Sequence, residues 1–161
     1  MNAKSNATKS TLVITVKAKE LYEKIMNDDF NNLKKLIDEC TELLDNEGFG
    51  SYFGDDNENY TTNIYEAGEM VWSIKVDDPK DKEEGYTVSL DFINQKVKLG
   101  KPGFFIRNPI PASNGIITGE VSPDVSPKSK PESYTINFHV SKGSKPTPNL
   151  PIDPKLQIRK N

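Results

Sequence analysis

The chain has 161 residues, of which 34% are hydrophobic and 28% charged, and its 24 acidic and 21 basic residues give a net charge of -3. We interpret these charges as spread along the whole chain, without the basic field that holds a nucleic acid backbone. A chain of this length is typical of one domain with one core. The single cysteine, Cys40, excludes an internal disulfide and any site with several cysteine ligands.

Residues 1–10 are polar and lack periodicity, so we predict a tail there and a single domain over residues 11–161. The tail has no apolar run of the length that a signal peptide needs, and no stretch of the chain reaches the roughly 20 apolar residues of a membrane span. We therefore expect a cytoplasmic protein without a membrane span. Export by a non-classical route stays open.

The first predicted elements are a strand and a helical segment. A β-branched run over residues 11–16 predicts a buried strand, and residues from about 18 to 46 are predicted to be helical. Within this segment, Asp28 or Asp29 would cap the start of a second and longer helix, and Gly48 would provide a left-handed cap at its end. The apolar positions that recur three and four apart in this helix are Phe30, Leu33, Ile37, Cys40 and Leu44.

Period-two alternation predicts strands after Gly48. The clearest candidates are residues 70–76, 86–92 and 134–140, and weaker ones are residues 60–65, 96–99, 104–107, 116–121 and 156–158. Proline and glycine turn signals separate them. This pattern predicts a mainly β fold, an antiparallel β-sandwich with an inserted N-terminal helical segment.

An acidic loop followed by a strand is the best candidate for a metal site. The spacing of four oxygen side chains follows positions one, three, five and twelve of a calcium loop, in Asp55, Asn57, Asn59 and Glu66. The sixth position, which favours glycine, is Tyr60. A calcium site is therefore one interpretation, and a plain acidic surface loop is the other.

The usual catalytic groups form no recognisable set. His139 is the only histidine and alternates onto the polar face of its strand, while Cys40 lies on the apolar stripe of the predicted helix. A solvent-facing histidine and a cysteine that packs as a small hydrophobe are the favoured interpretations. We predict no enzyme activity and no cofactor.

Aromatic and C-terminal apolar residues are candidates for contact. Trp72 is expected in the core, with a sugar-stacking role as the alternative. Adjacent strand residues point to opposite faces, so one of Phe104 and Phe105 is predicted to be exposed at a contact surface. Leu156 and Ile158 are predicted either to add a strand to the sheet edge of a neighbouring copy or to pair within their own domain.

Four segments together resemble the bacterial inclusion-body-protein family, also called PixA-like or AidA-like. They are residues 11–16 (TLVITV), 67–74 (AGEMVWSI), 134–140 (YTINFHV) and 152–158 (IDPKLQI). The resemblance implies a β-sandwich without known catalytic activity that is made in quantity and is found as intracellular deposits or in connection with secretion or host interaction. It carries no functional residues to this chain.

Two functions follow as hypotheses. The first is a non-enzymatic β-sandwich of the inclusion-body type that associates with itself or with another protein. The alternative is a ligand-binding module, for carbohydrate or calcium, that uses Trp72 or the loop over residues 55–59.

Overall fold

Short strands make up most of the regular structure in the computed structural model, which describes residues 8–97, 99–100, 103–127 and 130–160. In chain order these strands are β1 (Lys9–Val16), β2 (Thr41–Asp45), β3 (Gly50–Ser51), β4 (Thr61–Tyr65), β5 (Glu69–Val76), β6 (Tyr86–Asn94), β7 (Ile110–Pro111), β8 (Ile117–Glu120), β9 (Glu132–Ser133), β10 (Thr135–Lys142), β11 (Lys145–Pro146), β12 (Leu150–Ile152) and β13 (Lys155–Arg159). The helices are α1 (Ala18–Met26), α2 (Leu33–Cys40), a 3-10 turn (Asn57–Asn59) and α3 (Pro79–Glu83).

The strands form three sheets. The first has the order β3-β2-β1-β5-β8, the second has the order β11-β10-β6-β7 with β12 also paired to β10, and the third has the order β4-β13-β9. Most neighbours are antiparallel, which confirms the predicted mainly β fold with antiparallel sheets. The structure adds two parallel pairs, β1 with β5 and β4 with β13. Their partners are far apart in sequence, so local alternation could not indicate them.

One continuous core joins the sheets and the first two helices. The inward residues of the central strands are fully buried, among them Leu12 and Ile14 of β1 and Ile136 and Phe138 of β10. Trp72 is also fully buried, which confirms its predicted place in the core. Its indole Nε1 donates a hydrogen bond of 3.1 Å to the hydroxyl of Tyr134, which lies between β9 and β10, and so links the first sheet to that connection.

The predicted long helix is wrong in its second half. Helix α2 ends at Cys40, because Thr41–Asp45 pairs antiparallel with β1 and places Leu43 opposite Ile14 in the core. The hydroxyl of Thr41 donates to the carbonyl of Ile37 at 2.7 Å and satisfies the last helical turn. The helical spacing of residues 37–44 is thus overridden by strand pairing.

The caps of α2 also differ from the prediction. Asn32 caps the helix by accepting from the amide of Lys35 at 3.0 Å, while Asp28 lies in the preceding turn with φ of 52°. Gly48 has φ of 90°, but it serves the turn between β2 and β3 rather than a helix end. Helix C-caps and hairpin turns both use a glycine in the left-handed conformation, so the sequence signal was ambiguous.

The predicted tail is two residues too long. Lys9 and Ser10 belong to β1, where they pair with the start of β5, and residues 1–7 of the predicted tail lie outside the described residues. Two of the weaker strand candidates, residues 96–99 and 104–107, form no strand among the described residues. Residues 96–97 are irregular, and residues 104–107 contribute only an isolated bridge between Phe105 and Val121.

Candidate functional site

Two of the four predicted metal ligands, Asp55 and Asn57, make hydrogen bonds that hold the loop. A carboxylate oxygen of Asp55 accepts from the amide of Tyr52 at 2.9 Å. Asn57 is buried, and its side chain accepts from the hydroxyl of Ser51 at 2.7 Å and donates to that of Thr41 at 3.0 Å. The oxygens proposed for calcium are therefore partly used to fasten the loop to β2 and β3.

Glu66 is separated from the other predicted ligands. It follows β4, whose five residues span about 16 Å at ~3.3 Å per residue, whereas the other three precede that strand. Within the described part of the chain, no group of three or more His, Cys, Asp or Glu side chains could hold a metal ion. The structure brings Asp55 and Asn59 to one cleft, described below, but not Glu66.

The predicted contact residues are buried in the chain itself. Phe104 and Phe105 are both buried, so the expectation that one of them is exposed is wrong. The ring of Phe105 packs edge-on against Trp72 at a centroid distance of 5.4 Å. Because the chain is irregular here, adjacent side chains do not have to alternate between two faces.

The closing strand is equally inaccessible. Leu156 and Ile158 are fully buried, and β13 lies between β4 and β9 of the same chain. The second of the two predicted arrangements, pairing within its own domain, is the one observed. Both side chains therefore pack inside their own chain, and strand addition to a neighbouring copy stays a prediction.

Three exposed apolar side chains lie instead on the hairpin formed by β2 and β3. Leu44, Phe49 and Tyr52 expose 45%, 63% and 52% of their surface. We call these three residues the hairpin surface. Since β3 is the last strand of the first sheet, the hairpin surface lies directly beside a strand edge that no other described strand pairs with.

Asp45 and Tyr60 hold the hairpin in a defined conformation. One carboxylate oxygen of Asp45 accepts from the amides of Glu47 and Phe49 at 2.9 and 3.0 Å, and the other accepts from the hydroxyl of Tyr60. Burial raises the pKa of Tyr60 well above its usual range, so its hydroxyl remains a proton donor at neutral pH. Phe49 is therefore presented from an ordered turn.

The strand edge beside Phe49 has free main-chain groups. The amide of Asp45 donates to the carbonyl of Phe49 at 2.9 Å, and hydrogen-bonded positions alternate along an antiparallel pair. The N–H and C=O of Gly50 therefore point away from β2. A Cβ at Gly50 would lie 2.4 Å from the carbonyl oxygen of Leu43, so this close approach requires glycine.

A cleft of about 520 Å³ opens beside this edge. Its walls include Phe49, Gly50, Asp55, Asp56, Asn59 and Tyr60. The ammonium group of Lys34 lies 2.8 Å from Asp56 and holds the pKa of that carboxyl below its usual range. Asp55 forms no ion pair with any described residue, so the cleft presents a free negative charge next to an exposed aromatic ring.

The charge around the hairpin corrects the sequence interpretation of evenly spread charges. Residues 41–59 include six carboxylates and no Lys or Arg. A signal for this was present in the sequence, because no basic residue occurs between Lys35 and Lys75. Net charge over the whole chain hides such a local excess.

A second exposed apolar surface lies on the connection between β6 and β7. Val97, Leu99 and Ile106 are exposed there, and we call them the loop surface. The base of this connection is closed by Gln95 and Asn108. The amide of Gln95 donates to the Asn108 side chain at 2.9 Å, and that side chain donates back to the Gln95 carbonyl at 2.7 Å.

The loop surface is basic. Residues 95–108 include four basic residues, Lys96, Lys98, Lys101 and Arg107, and no acidic residue. Lys98 and Lys101 lie outside the described residues. Lys96 and Arg107 are exposed and form no ion pair with a described residue.

The two surfaces lie at opposite edges of the first sheet. The amide of Ile106 donates to the carbonyl of Glu120 in β8 at 3.0 Å, so the loop surface is anchored at the β8 edge, whereas the hairpin surface borders β3. Four strand spacings of about 4.8 Å separate these edges by about 19 Å. Measured along the sheet, the acidic residues thus lie beside one edge and the basic residues beside the other.

Comparison with known proteins identifies the fold. No protein-family model matches the chain, and no curated protein does. Among solved structures, an inclusion body protein (PixA) from Burkholderia cenocepacia J2315 matches over 100% of both chains, with a TM-score of 0.52 and a sequence identity of 10%. The chain has the fold of this inclusion body protein.

The fold resemblance indicated by the four sequence segments is thereby confirmed. Two of those segments, residues 11–16 and 67–74, lie on the adjacent parallel strands β1 and β5, and a third lies on β10. They are core segments, which explains why they carry the resemblance to a fold. At 10% identity, the match supports no transfer of residue roles.

The surroundings of the only cysteine and the only histidine indicate structural roles. Cys40 is fully buried, and this burial, together with Glu20, raises the pKa of its thiol to about 12. His139 is half-buried, with its Nδ1 2.8 Å from a carboxylate oxygen of Asp91 on the neighbouring strand. In the described part of the chain, no helix is long and apolar enough for a membrane crossing.

Proposed function

We propose that the protein is a non-enzymatic, self-associating β-sandwich of the inclusion-body type, whose copies contact one another through the hairpin surface. The observation that carries the proposal is the position of Leu44, Phe49 and Tyr52 beside an unpaired strand edge. Leu44 pairs with Gly50 and Phe49 lies opposite Asp45, so the exposed side chains flank this edge on its two faces. Exposed apolar side chains beside an edge are candidates for contact, and an edge that no described strand pairs with offers main-chain hydrogen bonds to a partner.

The hairpin surface has the composition and order of a contact surface. Aromatic residues are enriched in protein interfaces, and burying one large apolar side chain contributes roughly 1.5–3 kcal/mol. Phe49 and Tyr52 are about half to two-thirds exposed, so a single contact would be of modest strength. Modest contacts suffice where each copy of an abundant protein makes more than one of them.

The structural neighbour supports self-association because it is described as an inclusion body protein. Association with a different protein is the other possible use of the hairpin surface and is an outcome of the test below. We infer that the protein is not an enzyme. Cys40 is buried with a raised thiol pKa, so it is not an activated nucleophile.

The carbohydrate alternative loses its proposed platform. Trp72 is fully buried and its indole N–H is bonded to Tyr134, so it cannot stack on a sugar. The calcium alternative loses one of its four ligands, because Glu66 lies beyond β4. Self-association is therefore the function that the surfaces of the described residues favour.

Molar mass in solution across a range of concentrations tests the proposal. The wild-type mass should rise with concentration, and the variant Phe49→Ser with Tyr52→Ser should need at least about tenfold more protein to reach the same mass. Met26→Ser is the matched control, because Met26 is 48% exposed but lies at the end of α1. It should behave as wild type.

Both changes at the hairpin remove exposed side chains, so the melting temperature should remain close to that of the wild type. A wild-type protein that stays monomeric at every concentration would overturn the proposal. The hairpin surface would then be a contact for a different protein. Equal association of the wild type and the double variant would show that the hairpin surface is not the contact.

A further inference from the structure

We propose that copies of this chain associate head to tail, with the hairpin surface of one copy against the loop surface of the next. This inference rests on the proposed function and identifies the partner surface. The occupant of the hairpin surface is thus a second copy of the chain, which contributes the connection between β6 and β7.

Charge complementarity is the first argument for this pairing. The hairpin segment, residues 41–59, includes six acidic and no basic residues, and the loop segment, residues 95–108, includes four basic and no acidic residues. Asp55, Lys96 and Arg107 form no ion pair with a described residue of their own chain. Complementary potentials of this kind steer two surfaces together and fix their register.

The distribution of apolar side chains is the second argument. The described residues include eight exposed large hydrophobic side chains, and six of them form the hairpin surface and the loop surface. Each surface contributes three, namely Leu44, Phe49 and Tyr52 on one and Val97, Leu99 and Ile106 on the other. An interface core of apolar side chains with charges at its rim is typical of specific protein contacts.

Pairing of like surfaces is disfavoured by the same charges. A two-fold dimer through the hairpin would place Asp55 and Glu47 of two copies near each other, and neither residue has a cation partner among the described residues. A two-fold dimer through the loop would bring together two copies of Lys96 and Arg107. Like charges across an interface are repulsive, so each surface favours the other.

The positions of the two surfaces determine the kind of assembly. They border β3 and β8, the opposite edges of the first sheet, so a contact between two copies leaves one hairpin surface and one loop surface unused. A heterologous contact of this kind continues beyond the dimer, into a ring if the rotation closes and into a filament if it does not. We therefore expect growth into particles larger than dimers.

Charge reversal tests the pairing directly. The hairpin-reversed variant is Glu47→Lys with Asp55→Lys, the loop-reversed variant is Lys96→Glu with Arg107→Glu, and the combined variant has all four changes. The hairpin-reversed and loop-reversed variants should each need at least about tenfold more protein than the wild type to associate. An equal mixture of these two variants, and the combined variant by itself, should associate again, because opposite charges face each other once more.

The combined variant should join particles of the wild type less readily than it associates with itself, because the charges at positions 47, 55, 96 and 107 then meet charges of the same sign on the wild-type copy. Lys75→Glu with Lys145→Glu is the matched control for the loop-reversed variant, since it makes the same change in net charge at exposed residues outside both surfaces. It should associate as the wild type does. If the hairpin-reversed variant does not fold, Glu47→Gln with Asp55→Asn removes the charges and retains hydrogen-bonding groups, and it should show a smaller shift.

The outcomes separate this inference from the proposed function. A loop-reversed variant that associates like the wild type, alongside a Phe49→Ser, Tyr52→Ser variant that does not, would overturn head-to-tail pairing and leave self-association through the hairpin. Reversed variants that are not rescued by mixing would also overturn it. A wild type that never associates would overturn the proposed function itself.

Discussion

The outer strands of the first and second sheets differ in one respect that bears on association. Each outer strand of the second sheet has a proline: Pro111 in β7, Pro146 in β11 and Pro151 in β12. The outer strands of the first sheet, β3 and β8, have none, and each includes a glycine, Gly50 or Gly119. Both are flanked by exposed apolar side chains.

Proline cannot donate a main-chain hydrogen bond, so an edge strand that contains it is a poor template for a further strand. Lys145 adds a charge to the β11 edge. The second sheet is therefore protected against strand addition, whereas the first is open at β3. This difference leaves β3, beside the hairpin surface, as the more open edge.

The largest expected effect comes from the centre of the second sheet. Phe138 is fully buried in β10, opposite Leu90 of β6 and Leu150 of β12. Phe138→Ala should reduce the free energy of unfolding by about 3–5 kcal/mol, because it removes a large side chain from a core shared by both sheets. Urea unfolding measures this, and a loss below about 1 kcal/mol would show that Phe138 does not pack in the core.

A smaller loss is expected at the β8 edge of the first sheet. A Cβ at Gly119 would lie 2.8 Å from the Phe105 ring and 3.0 Å from the Ile110 side chain. Gly119→Ala should therefore reduce the free energy of unfolding by about 1–3 kcal/mol through overpacking. The exposed neighbour Thr118 offers a control, since Thr118→Ala should change it by less than about 1 kcal/mol. Equal effects would mean that Gly119 can accept a side chain without displacing Phe105.

The smallest change in stability, and the sharpest test of the comparison, comes from the prolines. Pro111→Val with Pro146→Val should change the free energy of unfolding by no more than about 1 kcal/mol, because proline acts mainly on the unfolded chain. In the Phe49→Ser, Tyr52→Ser background this change should raise the solution mass, since it opens edges of the second sheet. An unchanged mass would show that proline is not what protects these edges.

The strongest strands were predictable from the sequence because their evidence is local. A β-branched run located β1, and alternation located β5, β6 and β10 and identified Trp72 as a core residue. A strand that buries one face has an apolar residue at every second position, whichever strand it pairs with. The resemblance to inclusion-body proteins depended on these same core segments and was confirmed at the level of the fold.

Only the tertiary structure decided the features that depend on distant partners. Thr41–Asp45 became a strand because β1 was available to pair with it, and Phe105 was buried because Trp72 and Gly119 lie beneath it. The sequence by itself determined which strands could form and that the two oppositely charged segments exist. It could not place those segments at opposite edges of one sheet, because that placement follows from the strand order, which is set by contacts between residues far apart in the chain.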